Sequence, residues 1–315
     1  MTAYTTRGTT RTFVLILLGV LLLSLGSAAQ ERGQYLSGTN GLNSGVQPAP
    51  GFTYMNMFTW FHADRLKGPD GTAIPVKGDA NLYVDQNLFF YVTKWKLLGA
   101  NVGFMVDMPI VNSAIQGPLL TALGKNVGGA GVSDLFIQPV NLGWHLKHAD
   151  LQASYGFFAP TGRYNPGATN NVGSGYWGHD LQFAGTFYFD KMKMWQLSAY
   201  NNYEIHQSKQ TTLGSVTPGQ TYNLEWGFAH TFKLKPNFSQ LLQVGVVGYN
   251  QWQTSNDGGL TAFPNAHYQV HAIGPEVTFI MPMKKLSATF RYLPEWGAVK
   301  RSEGHTMVVA FSYRF

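Results

Sequence analysis

The sequence predicts an all-β protein, a transmembrane antiparallel β-barrel of about twelve strands with short periplasmic turns and long extracellular loops. Three observations indicate this class. Only 12% of the 315 residues are charged, whereas a cytosolic domain carries about 25%. Segments of about ten residues alternate apolar with small or polar side chains, which is the period of a strand. The connections between these segments are alternately long and short, as in bacterial outer-membrane barrels.

Residues 1–29 predict a signal peptide that is cleaved from the chain. Arg7 and Arg11 precede an apolar run over residues 13–23, and the small residues 27–29 supply a cleavage site. The apolar run is shorter than the roughly 18 residues that a spanning helix needs. Cleavage removes Arg7 and Arg11 and lowers the formal net charge from +6 to +4, an excess too mild to indicate a nucleic-acid partner.

Residues 30–51 are rich in Gly, Asn, Ser and Pro and show neither helical nor strand periodicity. Two interpretations stay open for them: a periplasmic lead segment, or a plug inside the barrel lumen. Twelve strands enclose more space than the eight whose interior is just filled by side chains, and less than a wide porin does. The sequence therefore predicts a narrow lumen.

Residues 52–315 are predicted to form the barrel. Its strands are expected at 52–62, 81–93, 98–106, 132–146, 151–159, 177–189, 195–206, 221–232, 239–251, 270–282, 286–293 and 306–315. The order of long and short connections places both termini on the periplasmic side. The last strand ends in Phe315, through which the barrel-assembly machinery would engage it. A soluble β-sandwich would use similar strands but gives no reason for the alternating connections.

Five charged residues fall on the polar parity of their strands and are expected to face the lumen. They are Glu204, Glu225, Glu276, Arg291 and Arg314. Facing the hydrocarbon would cost about 2 to 4 kcal/mol for an arginine or lysine at the membrane midplane. A two-residue turn centred on Met283 and Lys284 would place Glu276 opposite Arg291, which predicts an ion pair. These charges either neutralise one another or act in substrate passage.

Pro139 and Pro275 interrupt predicted strands, because proline cannot donate a ladder hydrogen bond. Each marks either a β-bulge or a wall interruption that permits lateral exit of an apolar solute.

An outer-membrane lipid hydrolase is the enzymatic alternative. His206 lies near Ser208, but the sequence has no G-x-S-x-G elbow, no H-E-x-x-H motif and no cysteine. His145 and His148 lack helical metal-ligand spacing. We therefore expect that the protein is not an enzyme and that it binds no cofactor and no metal. A structural or surface-recognition barrel without transport is the other alternative.

Several segments together resemble the meta-pathway phenol-degradation family of outer-membrane proteins, and residues 160–164 (Pro-Thr-Gly-Arg-Tyr) contain the most specific motif. The segments are Tyr35–Gly38, Gly45–Gly51, Val132–Leu135 with Pro139 and Gly143–His145, Ala159–Tyr164 with Asn170, Asn171, Gly173 and Trp177, Val244–Tyr249 with Gln253 and Asp257, and Gly274–Val277. The resemblance implies a barrel in the outer membrane of a Gram-negative bacterium that passes hydrophobic aromatic or related small molecules. It assigns no binding residues.

The combined hypothesis is an outer-membrane channel for passive diffusion of small hydrophobic, phenol-like aromatic compounds. Its expected partners are outer-membrane lipids, these solutes and the assembly machinery. The candidate substrate contacts are Tyr164, Asn170, Trp177, Trp252, Asn141 and His145.

Overall fold

A computed structural model describes residues 33–75, 78–261 and 263–315 of the chain. The expected signal peptide, residues 1–29, lies outside the described residues. Twelve long strands, numbered here β1 to β12 in chain order, form one closed antiparallel barrel. They are β1 (Gly51–Leu66), β2 (Asp79–Leu97), β3 (Ala100–Gln116), β4 (Leu135–His145), β5 (Ala149–Ala159), β6 (Gly178–Tyr188), β7 (Trp195–His206), β8 (Thr221–Lys233), β9 (Leu241–Gln253), β10 (Gln269–Met281), β11 (Leu286–Val299) and β12 (Ser302–Arg314).

Each strand pairs with the next along the chain, and β12 pairs with β1 to close the wall, with Val309 opposite Phe58. The twelve strands lie where the alternation predicts them, which confirms the predicted fold class. Closure gives each of the twelve described strands a neighbour on both sides, and a free backbone N–H or C=O in the lipid would cost several kcal/mol.

Several strand boundaries differ from the prediction. β3 continues to Gln116, beyond its predicted end at residue 106. The prediction stopped too early because residues 108–111 are apolar on both parities and hide the alternation. The predicted strands leave a long connection over residues 294–305, and this prediction is wrong. β11 extends to Val299 and β12 begins at Ser302, so that residues 300 and 301 alone join them.

The outer connections contain smaller elements. The short strand Ala130–Val132 pairs with β3, and the strands Lys209–Thr211, Gly214–Thr217 and Gly258–Gly259 form a separate three-stranded sheet. A short helix, α1, spans Pro118–Ala122 in the connection that follows β3, whereas a 3₁₀ turn over Pro282–Lys284 joins β10 to β11 at the periplasmic end. Within the described ranges, no helix is long and apolar enough to cross a membrane.

Over most of the wall the polar parity of the strands faces inward. Asp180, Ser198 and Asn202 are fully buried inside the barrel, whereas Phe183 and Phe228 are exposed on the outside. A barrel in lipid requires this arrangement, because apolar side chains meet hydrocarbon and polar ones meet the lumen.

The sector formed by β1, β2 and β3 departs from this pattern. Here Asn56, Asp85 and Asn87 lie on the outer face of the wall. They share the strand parity of the exposed Phe58 and Phe89. The Asn56 amide donates to Asp85 at 2.5 Å, and the Tyr54 hydroxyl donates to Asn87 at 2.7 Å. The inward-facing residues of the same sector are largely apolar. They include Met55, Met57, Val84, Leu88, Phe90 and Met105.

Candidate functional site

Residues 33–50 run inside the barrel and are held by buried carboxylates. The backbone N–H groups of Gln34 and Tyr35 both donate to Oε1 of Glu204 at 2.8 Å. The N–H of Gly38 donates to Oε1 of Glu225 at 2.8 Å. These acids are almost fully buried, at 0% and 1% exposed. A carboxylate loses its hydrating water on burial, and here backbone N–H donors take the place of that water.

The second half of this segment continues across the polar strands. The Asn43 amide donates to Gln243 at 2.6 Å, and the Gln47 amide donates to Asn141 at 2.7 Å. Gly45 lies so close to the backbone at Thr186 that a Cβ atom would overlap it, so only glycine fits this approach. The hydrogen bonds of residues 33–50 thus concentrate on the polar side of the lumen.

The ion pair predicted from the hairpin register is present. Glu276 lies opposite Arg291, and Nε of Arg291 donates to Oε2 of Glu276 at 2.7 Å. The turn contains the four residues 282–285 instead of the predicted two. The register is unchanged, because Met281 pairs with Leu286. Nη1 of Arg291 also donates to the carbonyl of Gly38, and the N–H of Leu42 donates to Glu276 at 3.3 Å. The pair therefore joins the wall to the segment inside it.

A cavity of about 880 Å³ lies between residues 33–50 and the wall. Its lining includes Leu66 and Gly117 near the outer end of the strands, and Ile280 and Ser312 near the periplasmic end. Between them it follows the apolar inner face of β1, β2, β3 and β12. This volume falls within the roughly 300 to 1,000 Å³ of small-molecule sites.

A polar pair lies among the apolar inward-facing side chains of β2 and β3. The side-chain amide of Gln86 on β2 donates to Oδ2 of Asp107 on β3 at 2.7 Å. Both residues line the cavity, and Asp107 is 5% exposed. Sequence reasoning missed them, because in residues 81–93 and 98–111 both parities carry apolar and polar side chains. The sequence signal that could have identified them is the loss of alternation in these strands, next to Asp85 and Asn87.

The remaining predicted lumenal charges occupy different surroundings. Glu204 Oε1 lies 3.6 Å from Nε2 of His206, which is also buried. Arg314 lies near the periplasmic end of β12, opposite Thr53 and on the parity of cavity-lining Ser312. Arg314 is partly exposed.

The six candidate substrate contacts are not brought together. Asn141 is the one of the six that lines the cavity. The Tyr164 hydroxyl donates to the carbonyl of Gln210 in the outer loops, at 2.6 Å, and the Asn170 carbonyl accepts from Arg163 there. His145 lies at the periplasmic end of β4 and contacts Asp150 at 2.9 Å.

The two tryptophans among these candidates lie on the outer face of the wall. The ring of Trp177 packs beside Phe157, and that of Trp252 stacks on Tyr222. Both positions fit an aromatic girdle at the level of the lipid headgroups.

The two prolines differ in their surroundings. At Pro139 the register between β4 and β5 shifts between Ile137 and Val140, which is a bulge. Pro275 keeps its register against Val246 of β9. Next to Pro275, Gly274 approaches the carbonyl of Tyr292 so closely that a Cβ atom would overlap it. Toward β11, however, the ladder pairs Ala272 with Glu295 and next Glu276 with Arg291, so it skips residues 273–275.

The histidine and serine singled out for hydrolysis are separated by their environments. His206 is buried in the lumen, and its Nδ1 contacts the carbonyl of Gly219 at 2.9 Å. Ser208 lies in an outer loop, with Oγ 2.6 Å from the hydroxyl of Thr217. Among the described residues, no cluster of three or more His, Asp or Glu side chains could hold a metal ion.

Outside the membrane wall, Asp190 organises the turn between β6 and β7. Its carboxylate accepts backbone N–H groups from Trp195 at 2.7 Å, Met194 at 2.8 Å and Met192 at 3.1 Å. These donors lower the pKa of Asp190 below its ordinary value, the bond from Trp195 most strongly.

Comparison with solved structures shows barrels of the same fold. The COG4313 outer membrane channel from Pseudomonas putida F1 is 15% identical, with 87% of this chain and 98% of that chain covered at a TM-score of 0.70. The beta domain of the Bordetella autotransporter BrkA is 10% identical, with 85% and 100% covered and a TM-score of 0.55. The transport unit of the autotransporter AIDA-I from Escherichia coli is 12% identical, with 93% and 98% covered and a TM-score of 0.51.

These similarities establish the fold of an outer-membrane β-barrel. No curated protein matches the sequence. The model of one family, described as "Putative MetA-pathway of phenol degradation", matches residues 63–311. Because this match covers most of the chain, from the end of β1 to the last strand, the protein belongs to that family.

Proposed function

We propose that this protein is an outer-membrane channel for passive diffusion of small hydrophobic, aromatic solutes such as phenol. The observation that carries the proposal is the cavity, whose lining reaches from Leu66 and Gly117 near the outer end of the wall to Ile280 and Ser312 near the periplasmic end. Its apolar side suits solutes that the polar outer leaflet resists. Membership of a family described by phenol degradation supports aromatic solutes as the cargo.

In this proposal residues 33–50 act as a plug for the polar part of the lumen. Their backbone N–H groups engage Glu204, Glu225 and Glu276, which would otherwise line a hydrated pore. The free space that remains lies against the apolar sector of β1, β2 and β3. A channel of this form would pass apolar molecules and obstruct ions and sugars.

The proposed route begins at the outer end of the barrel, with first contacts at Tyr164 and Asn170 in the outer loops and at Trp177 and Trp252 on the outer face of the wall. It continues past Asn141, which lines the cavity, and leaves at the periplasmic end. The bulge at Pro139 is a second, lateral exit to be tested. The solute moves down its own concentration gradient, so the proposal requires no enzyme activity and no cofactor.

The test is solute uptake by refolded protein in vesicles with a lipopolysaccharide outer leaflet, because phenol and toluene cross simple phospholipid bilayers unaided. Phenol and toluene should enter faster through the protein than a sugar and an amino acid of similar size. The blocking variant is Ala310→Trp, since Ala310 lines the cavity. The matched control is Val309→Trp, whose side chain lies on the lipid-facing parity opposite Phe58.

Loss of aromatic uptake in Ala310→Trp and its retention in Val309→Trp would support passage through the cavity. Equal uptake of all four solutes would indicate a general porin. Absence of uptake by the wild-type protein would favour a structural or surface-recognition barrel.

A further inference from the structure

Two buried hydrogen-bond acceptors in the cavity wall lack partners. They are Oδ1 of Asp107 and Oε1 of Gln86, neither of which has a hydrogen bond within the described part of the chain. One N–H of the Gln86 amide donates to the other carboxylate oxygen of Asp107 at 2.7 Å, so the pair holds itself together through that bond. Buried polar atoms are nearly always paired, and an unpaired one marks either strain or a missing partner.

The surroundings of this pair are apolar. Met57 lies opposite Gln86 across the β1–β2 ladder, and Leu88 lies opposite Asp107 across the β2–β3 ladder. On the next strand, Phe136 pairs with Asp107, and its ring packs 4.7 Å from that of Phe158. The pair is thus a small polar point in a wall of methionine, leucine and phenylalanine side chains. Ligand sites typically combine such an apolar lining with a few polar groups that orient the ligand.

We propose that Gln86 and Asp107 form a solute-binding subsite that accepts a hydrogen bond from the hydroxyl group of an aromatic solute. The ring of the solute packs against Met55, Met57, Leu88 and Met105, where thioether groups make favourable contacts with aromatic rings. This inference rests on the proposed function and refines it. The channel favours hydroxylated aromatics over aromatic hydrocarbons and ethers of the same size.

The direction of the preference follows from the chemistry of the two free atoms. An amide oxygen and a carboxylate oxygen accept hydrogen bonds, which the hydroxyl of a phenol can donate and an ether or a hydrocarbon cannot. A solute without a hydroxyl leaves both acceptors unpaired, whereas a phenol satisfies one of them. A site built around such a bond discriminates strongly against an analogue that lacks the hydroxyl.

The test compares phenol, anisole and toluene by binding, so that it does not depend on flux. The refolded full barrel, with ¹³C-labelled methionine methyl groups, is titrated with each solute in detergent and followed by NMR. The ring current of a bound aromatic should shift the methyl resonances of Met55, Met57 and Met105. The methyl of Met283, which is 71% exposed in a periplasmic turn, should not move. Phenol should bind about tenfold more tightly than anisole or toluene, the value of one modest hydrogen bond.

Two variants remove the acceptors separately. Gln86→Met and Asp107→Leu should each reduce the preference for phenol, and the double variant should abolish it, while toluene binding stays in place. The control is Ser208→Ala, which removes an exposed hydroxyl of an outer loop away from the cavity and should keep the preference. Heat-modifiable electrophoretic migration verifies that each variant is folded.

Equal affinity for phenol and anisole in the wild-type protein would overturn the subsite, whatever the variants do. So would methyl shifts that avoid Met55, Met57 and Met105. If toluene and phenol are both taken up by vesicles but bind equally, the channel stands and the subsite fails. If neither is taken up, the proposed function fails, and a phenol preference in the titration would still support the subsite.

Discussion

Arg291 connects the barrel wall to the chain inside it. Its guanidinium pairs with Glu276 at 2.7 Å and also donates to the carbonyl of Gly38. Removal of one partner from a buried ion pair leaves an uncompensated charge, which costs about 3 to 5 kcal/mol. We therefore expect Glu276→Gln and Arg291→Gln each to lower the free energy of unfolding by about 3 kcal/mol, and the double variant to lose less than the sum.

Urea unfolding of the refolded barrel, followed by electrophoretic mobility and tryptophan fluorescence, measures these losses. Lys300→Met is a suitable comparison, because Lys300 pairs with Asp257 at 2.8 Å in the outer loops. Additive losses in the Glu276 and Arg291 variants would argue against a direct energetic contact.

Asp190 gives a pH-dependent contribution to the turn between β6 and β7. The backbone N–H of Trp195, followed by those of Met194 and Met192, depresses its pKa below the ordinary 3.8. A depressed carboxyl pKa stabilises the folded state above the unfolded value, and this stabilisation disappears as the pH falls through the folded value. Asp190→Asn should therefore be less stable than wild type at pH 6, and the difference should vanish toward pH 2. A difference that does not change with pH would exclude the charge as its source.

The segment of residues 33–50 is proposed to keep water and ions out of the polar lumen. Its deletion should raise single-channel conductance in a planar bilayer several-fold and admit sugars, because Glu204 and Glu225 would then border open water. Gly45→Val should displace the segment and raise the conductance less than the deletion does, since the added side chain would overlap the backbone at Thr186. Pro50→Ala, at an exposed position of the same segment, is the control. Unchanged conductance after the deletion would refute the plug.

The β1–β3 sector shows why a wall can depart from simple alternation. Elsewhere the inner face is polar because carboxylates and amides there meet the backbone of residues 33–50. In this sector the inner face borders free space, and its apolar side chains need no polar partner. Asn56, Asp85 and Asn87 on the outer face instead bond to one another and to Tyr54, which offsets part of their cost in lipid.

Closure of the whole barrel depends on the contact between its first and last strands. The N–H of Phe315 donates to the carbonyl of Phe52 at 2.9 Å, and the two rings lie 5.4 Å apart. The ring of Phe315 is nonetheless 64% exposed and is proposed to engage the assembly machinery. Deletion of Phe315 should lower the amount of folded barrel in the outer membrane of cells severalfold, with only a small loss of stability after refolding in vitro.

Quantification of heat-modifiable protein in membrane fractions measures the first effect, and urea unfolding measures the second. Tyr313→Phe keeps an aromatic ring in the same strand and serves as the control. Equal losses in cells and in vitro would assign Phe315 a purely structural role.

Much of the fold was predictable because the signals are local. Alternation in Met307 to Phe315 identifies β12 without reference to any other strand, and the turn near Met283 sets the register that pairs Glu276 with Arg291. The Gln86 and Asp107 pair was not predictable in this way. The side chains meet across the β2–β3 ladder, and their surroundings depend on Phe136 of β4 and on the path of residues 33–50.

The amino-acid sequence alone determined the twelve strands, their order and the sidedness of most of the wall, because each strand faces two different media and must carry a period-two pattern. The tertiary structure decided what lies inside the wall. The hydrogen bond from Gln34 to Glu204 joins residues 170 positions apart, and no local pattern encodes such a contact. The position of the free cavity follows from it, since the inner face that residues 33–50 leave uncovered is the one available to a solute.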